Sequence, residues 1–191
     1  MTKEIIKEKL VSKFGGNISF DESYGMLTFT VPAAQNIEVM QYLWDEGFQF
    51  LTDLTGVHYP DRKGEELCVV YHLHNLVANI RVRMKAYVPS AQPDIRTAVT
   101  LFAGANWMER ETYDFFGINF TGHPDLRRIL NVDEMDYFPM RKEYEMEDPT
   151  RKDKDDEMFG RGGKLGFGTE KMPEGQDTVT EAEKGQIGSS I

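Results

Sequence analysis

Residues 78–88 read Ala78-Asn79-Ile80-Arg81-Val82-Arg83-Met84-Lys85-Ala86-Tyr87-Val88. Arg81, Arg83 and Lys85 alternate with Ile80, Val82, Met84 and Ala86. In a strand, successive side chains point to opposite faces, so this period of two predicts one apolar face and one basic face. A sheet covered on one side only belongs to the antiparallel or mixed class, not to parallel sheets buried on both sides. The basic face fits a solvated sheet surface and a binding surface equally well.

Two more strands are expected upstream, over residues 48–57 and 66–74. Asp61-Arg62-Lys63-Gly64 is a turn between them, and Leu76 with its neighbours makes the next turn. Short turns make the three strands antiparallel neighbours. Earlier still, Ile5, Ile6, Leu10, Val11 and Phe14 share a helix face that Gly15-Gly16 ends. Extended runs at 17–20 and 26–31 flank the polar loop Asp21-Glu22-Ser23-Tyr24-Gly25, and Pro32 closes the second run. Residues 36–46 space Ile37, Met40, Leu43 and Trp44 as a helix, stopped by Gly47. Beyond the linker at 89–93, residues 94–102 predict a short helix and residues 105–116 another, ended by Gly117. The class expected is α+β: an open, mostly antiparallel sheet with helices on one side, then a helical and extended C-terminal segment and a polar tail. The expected divisions are 1–88 for the sheet domain, 89–144 for the segment packing on it and on partners, and 145–191 for the Gly-rich tail.

The chain has 191 residues with 22 Lys+Arg and 32 Asp+Glu, a net charge of −10. Residues 1–142 hold 15 basic and 19 acidic groups, and residues 143–191 hold 7 and 13, giving −4 and −6. The field repels phosphate, which argues against nucleic acid and against electrostatic docking to anionic lipid. No run approaches the ~20 apolar residues of a membrane span, and the Lys/Glu-laced start is unlike a secretory signal. Cys68 is the single cysteine and lies in an apolar run, where it reads as a buried, inert thiol. One thiol cannot build an iron–sulfur cluster, which takes about four protein ligands. A soluble, cytosolic chain that relies on its core is expected. The tail alone cannot bury enough surface to offset its ordering entropy, and a strap across neighbouring subunits is expected of it. Gly160-Arg161-Gly162-Gly163-Lys164-Leu165-Gly166 lacks the spacing and ending of a phosphate loop.

Charged and aromatic residues crowd most densely at 109–130. Arg110 and Asp114 stand four apart on a helix and can pair. Glu111 lies beside the apolar face and, if buried, needs a cation, for which Arg127 and Arg128 are nearest. Gly117 and Gly122 bracket the short extended piece Ile118-Asn119-Phe120, and His123-Pro124-Asp125 is expected to open a short helix. His123 reads as a group that fixes the loop by hydrogen bonds. Glu109, Glu111, Asp114, His123 and Asp125 offer acids, a base and metal ligands. Yet no His-x-x-x-His or Glu-x-x-His pair shares a helix face, and no nucleophile stands beside a base. His72 and His74 share a strand face, but two ligands do not make a metal site.

The run Glu109-Arg110-Glu111, Asp114, Phe116-Gly117-Ile118, Phe120 and Gly122-His123-Pro124-Asp125-Leu126-Arg127-Arg128-Ile129-Leu130 resembles the signature of the C-type, or 30 kDa, subunit of respiratory complex I, the proton-pumping NADH:quinone oxidoreductase. The likeness extends to residues 51–60, 70–73, 79–83 and 104–108, and to Asp136-Tyr137 and residues 139–144. It covers about residues 1–150 and is loose at 88–97; Glu145 onward matches no general block of the family, and nothing after Tyr144 looks like a fused D-type subunit.

The resemblance implies a non-catalytic structural subunit of the hydrophilic peripheral arm. Its main partner would be the D-type subunit of complex I, with the B-type and I-type subunits nearby and membrane contact only through the complex. It would sit on the cytoplasmic side of the bacterial inner membrane. FMN, iron–sulfur clusters, NADH and quinone would be held by other subunits and none by this chain. On this chain Glu109, Arg110, Glu111, Asp114, Arg127 and Arg128 would form an ionic network, with Gly117, Gly122, His123, Pro124 and Asp125 shaping the turn. Two alternatives stand beside it: the equivalent subunit of a ferredoxin-fed or hydrogenase-type relative, and a free-standing metal-dependent hydrolase using Glu109, Glu111, Asp114 and His123.

Overall fold

The computed structural model describes residues 2–144. The expected tail at 145–191, including the Gly160–Gly166 run, lies outside the described residues. Chain order is α1 (Lys3–Phe14), β1 (Ser19–Ser23), β2 (Met26–Pro32), α2 (Asn36–Asp45), β3 (Phe50–His58), β4 (Leu67–Asn75), β5 (Ile80–Val88), β6 (Asp94–Arg96), α3 (Ala105–Phe116) and β7 (Asn119–Thr121). A five-stranded sheet runs β1-β2-β5-β4-β3, and β6-β7 form a separate pair. All pairings in the large sheet are antiparallel except β2 with β5. This is the α+β class expected, with helices on one side.

The period-two strand is the centre of that sheet. Leu67, Val69, Tyr71 and Leu73 of β4 stand opposite Val88, Ala86, Met84 and Val82 of β5. Leu27, Phe29 and Val31 of β2 continue the same face. Against it lie Ile6 and Leu10 of α1 and Val39, Met40 and Leu43 of α2, all in one buried cluster. Burying a side chain of this size contributes about 1.5–3 kcal/mol, so this layer dominates stability. Ile5 and Val11, expected on the buried face of α1, are instead exposed at 42% and 46%, since α1 buries a narrower stripe.

Three sequence expectations need correction. The polar run Asp21–Ser23 is strand, because β1 is an edge strand and tolerates polar side chains; the hairpin turn is only Tyr24-Gly25. Both turn residues have positive φ, 55° and 69°, as a two-residue hairpin with the right twist requires. Residues 94–102 are not a helix. Asp94–Arg96 pairs in parallel with Asn119–Thr121, Thr97 N donates to the Thr121 carbonyl, and the Ala98 N–H donates to Glu109, so helical donors are already taken. No helix opens at His123-Pro124-Asp125: residues 122–144 are irregular and held by side chains.

α3 lies across β3. A Cβ added at Gly56 would stand 2.5 Å from the Phe116 ring, so the missing side chain is what admits the helix end there. Among the described residues no helix is long and apolar enough to cross a membrane.

Candidate functional site

α3 carries Glu109, Arg110, Glu111 and Asp114, and its end is set by Gly117 in the left-handed conformation at φ 72°. A helical face recurs every three to four residues, so Glu109 and Asp114 enter the interior at different levels and meet different partners.

Asp114 is fully buried and accepts five hydrogen bonds. Its Oδ1 receives Arg128 Nη1 at 2.7 Å and Asn131 Nδ2 at 3.1 Å. Its Oδ2 receives the backbone amides of Ile129, Leu130 and Asn131 at 3.1, 2.8 and 2.8 Å. Burial pushes this carboxyl up, but the Asn131, Arg128 and Leu130 donors outweigh it and hold it well below the usual carboxylate range. Arg128 also donates through Nη1 to the Asp114 carbonyl and through Nη2 to the carbonyls of Met135 and Tyr137. One carboxylate and one guanidinium therefore fix the course of residues 128–137 without regular secondary structure.

Around this pair the end of α3 is clamped again. Phe138 lies between the Arg128 and Arg141 guanidiniums, 5.2 and 4.8 Å from its ring centre, and edge-on to Tyr113. Arg141 Nε donates to the Phe116 carbonyl at 2.7 Å, Met140 N to the Phe115 carbonyl, and Lys142 N to His58 Nδ1 at 2.9 Å. A Cβ at Gly117 would stand 2.5 Å from the Phe138 ring.

Glu109 forms a second, separate centre. Its Oε2 accepts from the Thr97 hydroxyl at 2.5 Å and its Oε1 from Ala98 N at 2.6 Å. It is fully buried, and burial pushes its carboxyl up to about 7 against the pull of those two donors. Arg110 turns away from Asp114 and donates to the carbonyls of Arg127 and Arg128, with its guanidinium 5.5 Å from the Trp107 ring centre. The expected Arg110–Asp114 pair does not form, because Arg128 and the 129–131 amides already occupy the carboxylate. Glu111 is exposed, not buried, and needs no cation. Arg127 pairs with Asp125 at 3.0 Å on the surface. The single network expected of six residues is thus divided into Asp114–Arg128, Arg110 on backbone carbonyls, Glu109 on residues 97–98, a surface pair, and a solvated Glu111.

His123 holds the loop through both ring nitrogens. Nδ1 accepts from Asp125 N at 3.0 Å, so Nε2 carries the proton it shares with the Asn106 carbonyl at 3.2 Å. Pro124 follows it in the exposed turn, and Gly122 has φ 85° with a Thr97 methyl 3.4 Å from where a Cβ would lie. Among the described residues no three His, Cys, Asp or Glu side chains are grouped to hold a metal. The hydrolase alternative fails on this geometry, since Glu109, Asp114 and His123 each face different partners and Glu111 is exposed on the surface. His72 and His74 are also separate, on Arg83 at 2.9 Å and Asn79 at 3.4 Å. Cys68 is buried, and burial pushes its thiol up to about 11. Thr97, Asn131, Phe138 and His58 were not legible as site residues. They lie up to 84 positions from the groups they meet, and only the closing block at 139–144 hinted at the clamp.

The profile described as "Respiratory-chain NADH dehydrogenase, 30 Kd subunit" matches residues 29–150. The chain belongs to that family. The 30 kDa-subunit relatives include the C-type subunit of NADH-quinone oxidoreductase from Geobacter sulfurreducens, 37% identical over 145 residues, covering 75% of this chain and 90% of that protein. The corresponding subunit of Nocardioides is 44% identical over 123 residues, 63% of this chain. Here the match spans about half of the relative, 49% of its length. Among solved structures, a trypsin-resistant fragment of Nqo5 shares 35% identity at a TM-score of 0.60, over 66% of this chain and all of the fragment. A chain of the membrane-bound sulfane sulfur reductase, an archaeal respiratory membrane complex, shares 26% identity at 0.64, over 75% of this chain and 85% of that one. The matched stretch, residues 29–150, spans Glu109 with its partners and the Asp114–Arg128 brace.

Proposed function

We propose that this chain is a structural subunit of the peripheral arm of a proton-translocating NADH:quinone oxidoreductase. It would scaffold the quinone-reducing module through the D-type subunit, with the B-type and I-type subunits as further neighbours, on the cytoplasmic side of the bacterial inner membrane. FMN, iron–sulfur clusters, NADH and quinone would be bound by other subunits, and no catalytic residue would be contributed here. The observation that supports this most is the commitment of Asp114: all five donors it binds serve to shape residues 128–131, and charge-assisted bonds of this kind give a rigid, preformed surface. Family membership supports the enzyme class.

The test is Asp114→Asn in the intact complex. The amount of assembled enzyme should fall while NADH:quinone turnover per assembled complex stays at the wild-type value. Normal assembly with lost turnover would exclude the scaffolding role.

A second reading is supported by the likeness to the sulfane sulfur reductase chain at 26% identity. The same fold would then serve an enzyme with another electron donor or acceptor. The identity of the subunits bound to this chain separates the two readings, because the substrate sites would lie on them.

A further inference from the structure

We propose that the open face of the five-stranded sheet docks an acidic segment of a neighbouring protein subunit; this rests on the assembly role proposed above. The helices and the core occupy the other face. On the open face β5 presents Arg81, Arg83 and Lys85, opposite His74, His72 and Val70 of β4. Positions two apart on a strand are about 6.7 Å apart, so the three cations form a regular ladder. Arg81 is exposed, and Arg83 and Lys85 are half-buried. None of the three forms an ion pair among the described residues. Arg83 uses only its Nε, on His72 Nε2 at 2.9 Å, which orients the guanidinium. Arg62 extends the stripe, its guanidinium 4.8 Å from the ring centre of Tyr87. Phe50, 47% exposed beside His74, supplies an apolar end. The acids Asp53 and Asp21 lie on the flanking strands β3 and β1.

Unpaired cations are notable in a chain with 32 acidic residues against 22 basic ones. A net-acidic chain repels extended polyanions such as nucleic acid or an anionic bilayer over their whole area. A short acidic segment meets only the local stripe, within the screening length of about 8 Å at physiological salt. Such complementarity sets register and partner choice more than bulk affinity.

Tagged wild-type chain, purified with its complex from gently solubilised membranes, is treated with a carbodiimide, which joins an amine only to a carboxylate in contact with it. The expected result is Lys85 linked to an Asp or Glu of another subunit. The Arg81→Glu, Lys85→Glu chain should retain that same subunit roughly tenfold less, at an unchanged melting temperature of the isolated chain. If the double variant fails to fold, the Arg81→Gln, Lys85→Gln chain takes its place. Lys85 linked only within its own chain in an intact complex, or equal retention by the variant, overturns the docking face and leaves the assembly role standing. A wild-type chain that purifies alone overturns both. Binding to phosphatidylglycerol vesicles that the variant loses, with subunits retained equally, overturns the protein partner in favour of lipid.

Discussion

Asp114 and Glu109 are both buried carboxylates on one helix, yet their environments drive them in opposite directions. Asp114 is held ionised by five donors. The stability it brings is present above its ordinary value of 3.8 and is lost as pH falls through its lowered folded value. Asp114→Asn leaves Arg128 buried beside a neutral amide and should cost about 3 kcal/mol by urea unfolding at pH 7; a loss under 1 kcal/mol would show the brace to be dispensable. Glu109 behaves oppositely. Between 4.5 and about 7 the folded chain keeps a proton that the unfolded chain releases, so stability falls as pH rises through that window. Glu109→Gln keeps an acceptor for Ala98 N and reverses the Thr97 bond, its amide N–H donating to the Thr97 hydroxyl oxygen. It should match wild type near pH 4.5 and exceed it by about 3 kcal/mol at pH 8, and equal stability at both pH values would refute the buried titration. Glu111 serves as the contrast. Its exposure predicts that Glu111→Ala changes the isolated chain by about 0.5 kcal/mol or less in thermal melts.

At the scale of elements, α3 is positioned by absences of side chains as much as by contacts. Gly117 combines φ 72° with a Phe138 ring where a Cβ would lie. Gly117→Ala should therefore destabilise by about 2 kcal/mol and speed amide exchange in residues 128–142 before the sheet is affected; uniform loss across the sheet would mean that the clamp is not a separate layer. The sheet was legible because the period-two alternation in Ile80–Val88 and the apolar run in Leu67–Asn75, each bounded by turn residues, are local signals. The end of α3 at Gly117 was legible for the same reason. The apolar spacing of residues 94–102 is helical, while their conformation depends on Asn119–Thr121 and Glu109, far along the chain. The site was half legible. Asp114 and Arg128 stand out as charged residues in an aromatic segment, but that Arg128 rather than Arg110 meets Asp114 depends on the path of an irregular segment, which no periodicity encodes.

On the scale of the whole molecule, two exposed features stand out among the described residues: the basic stripe of β5, and the pair of Trp107 in the first turn of α3, 61% exposed, and Leu130, 65% exposed. Large apolar groups of this exposure, next to arginines, are common at the buried centres of protein interfaces. A rigid body with such faces, its buried carboxylates committed to hydrogen bonds within the chain, is what the proposed assembly role requires. The most direct measurement is mass spectrometry of what co-purifies with the tagged full chain from gently solubilised membranes. The expected result is the D-type subunit in equimolar amount, together with other peripheral-arm subunits and NADH:quinone activity that stays with the assembly. A chain recovered alone from membranes in which that oxidoreductase is intact and active would contradict the assembly role.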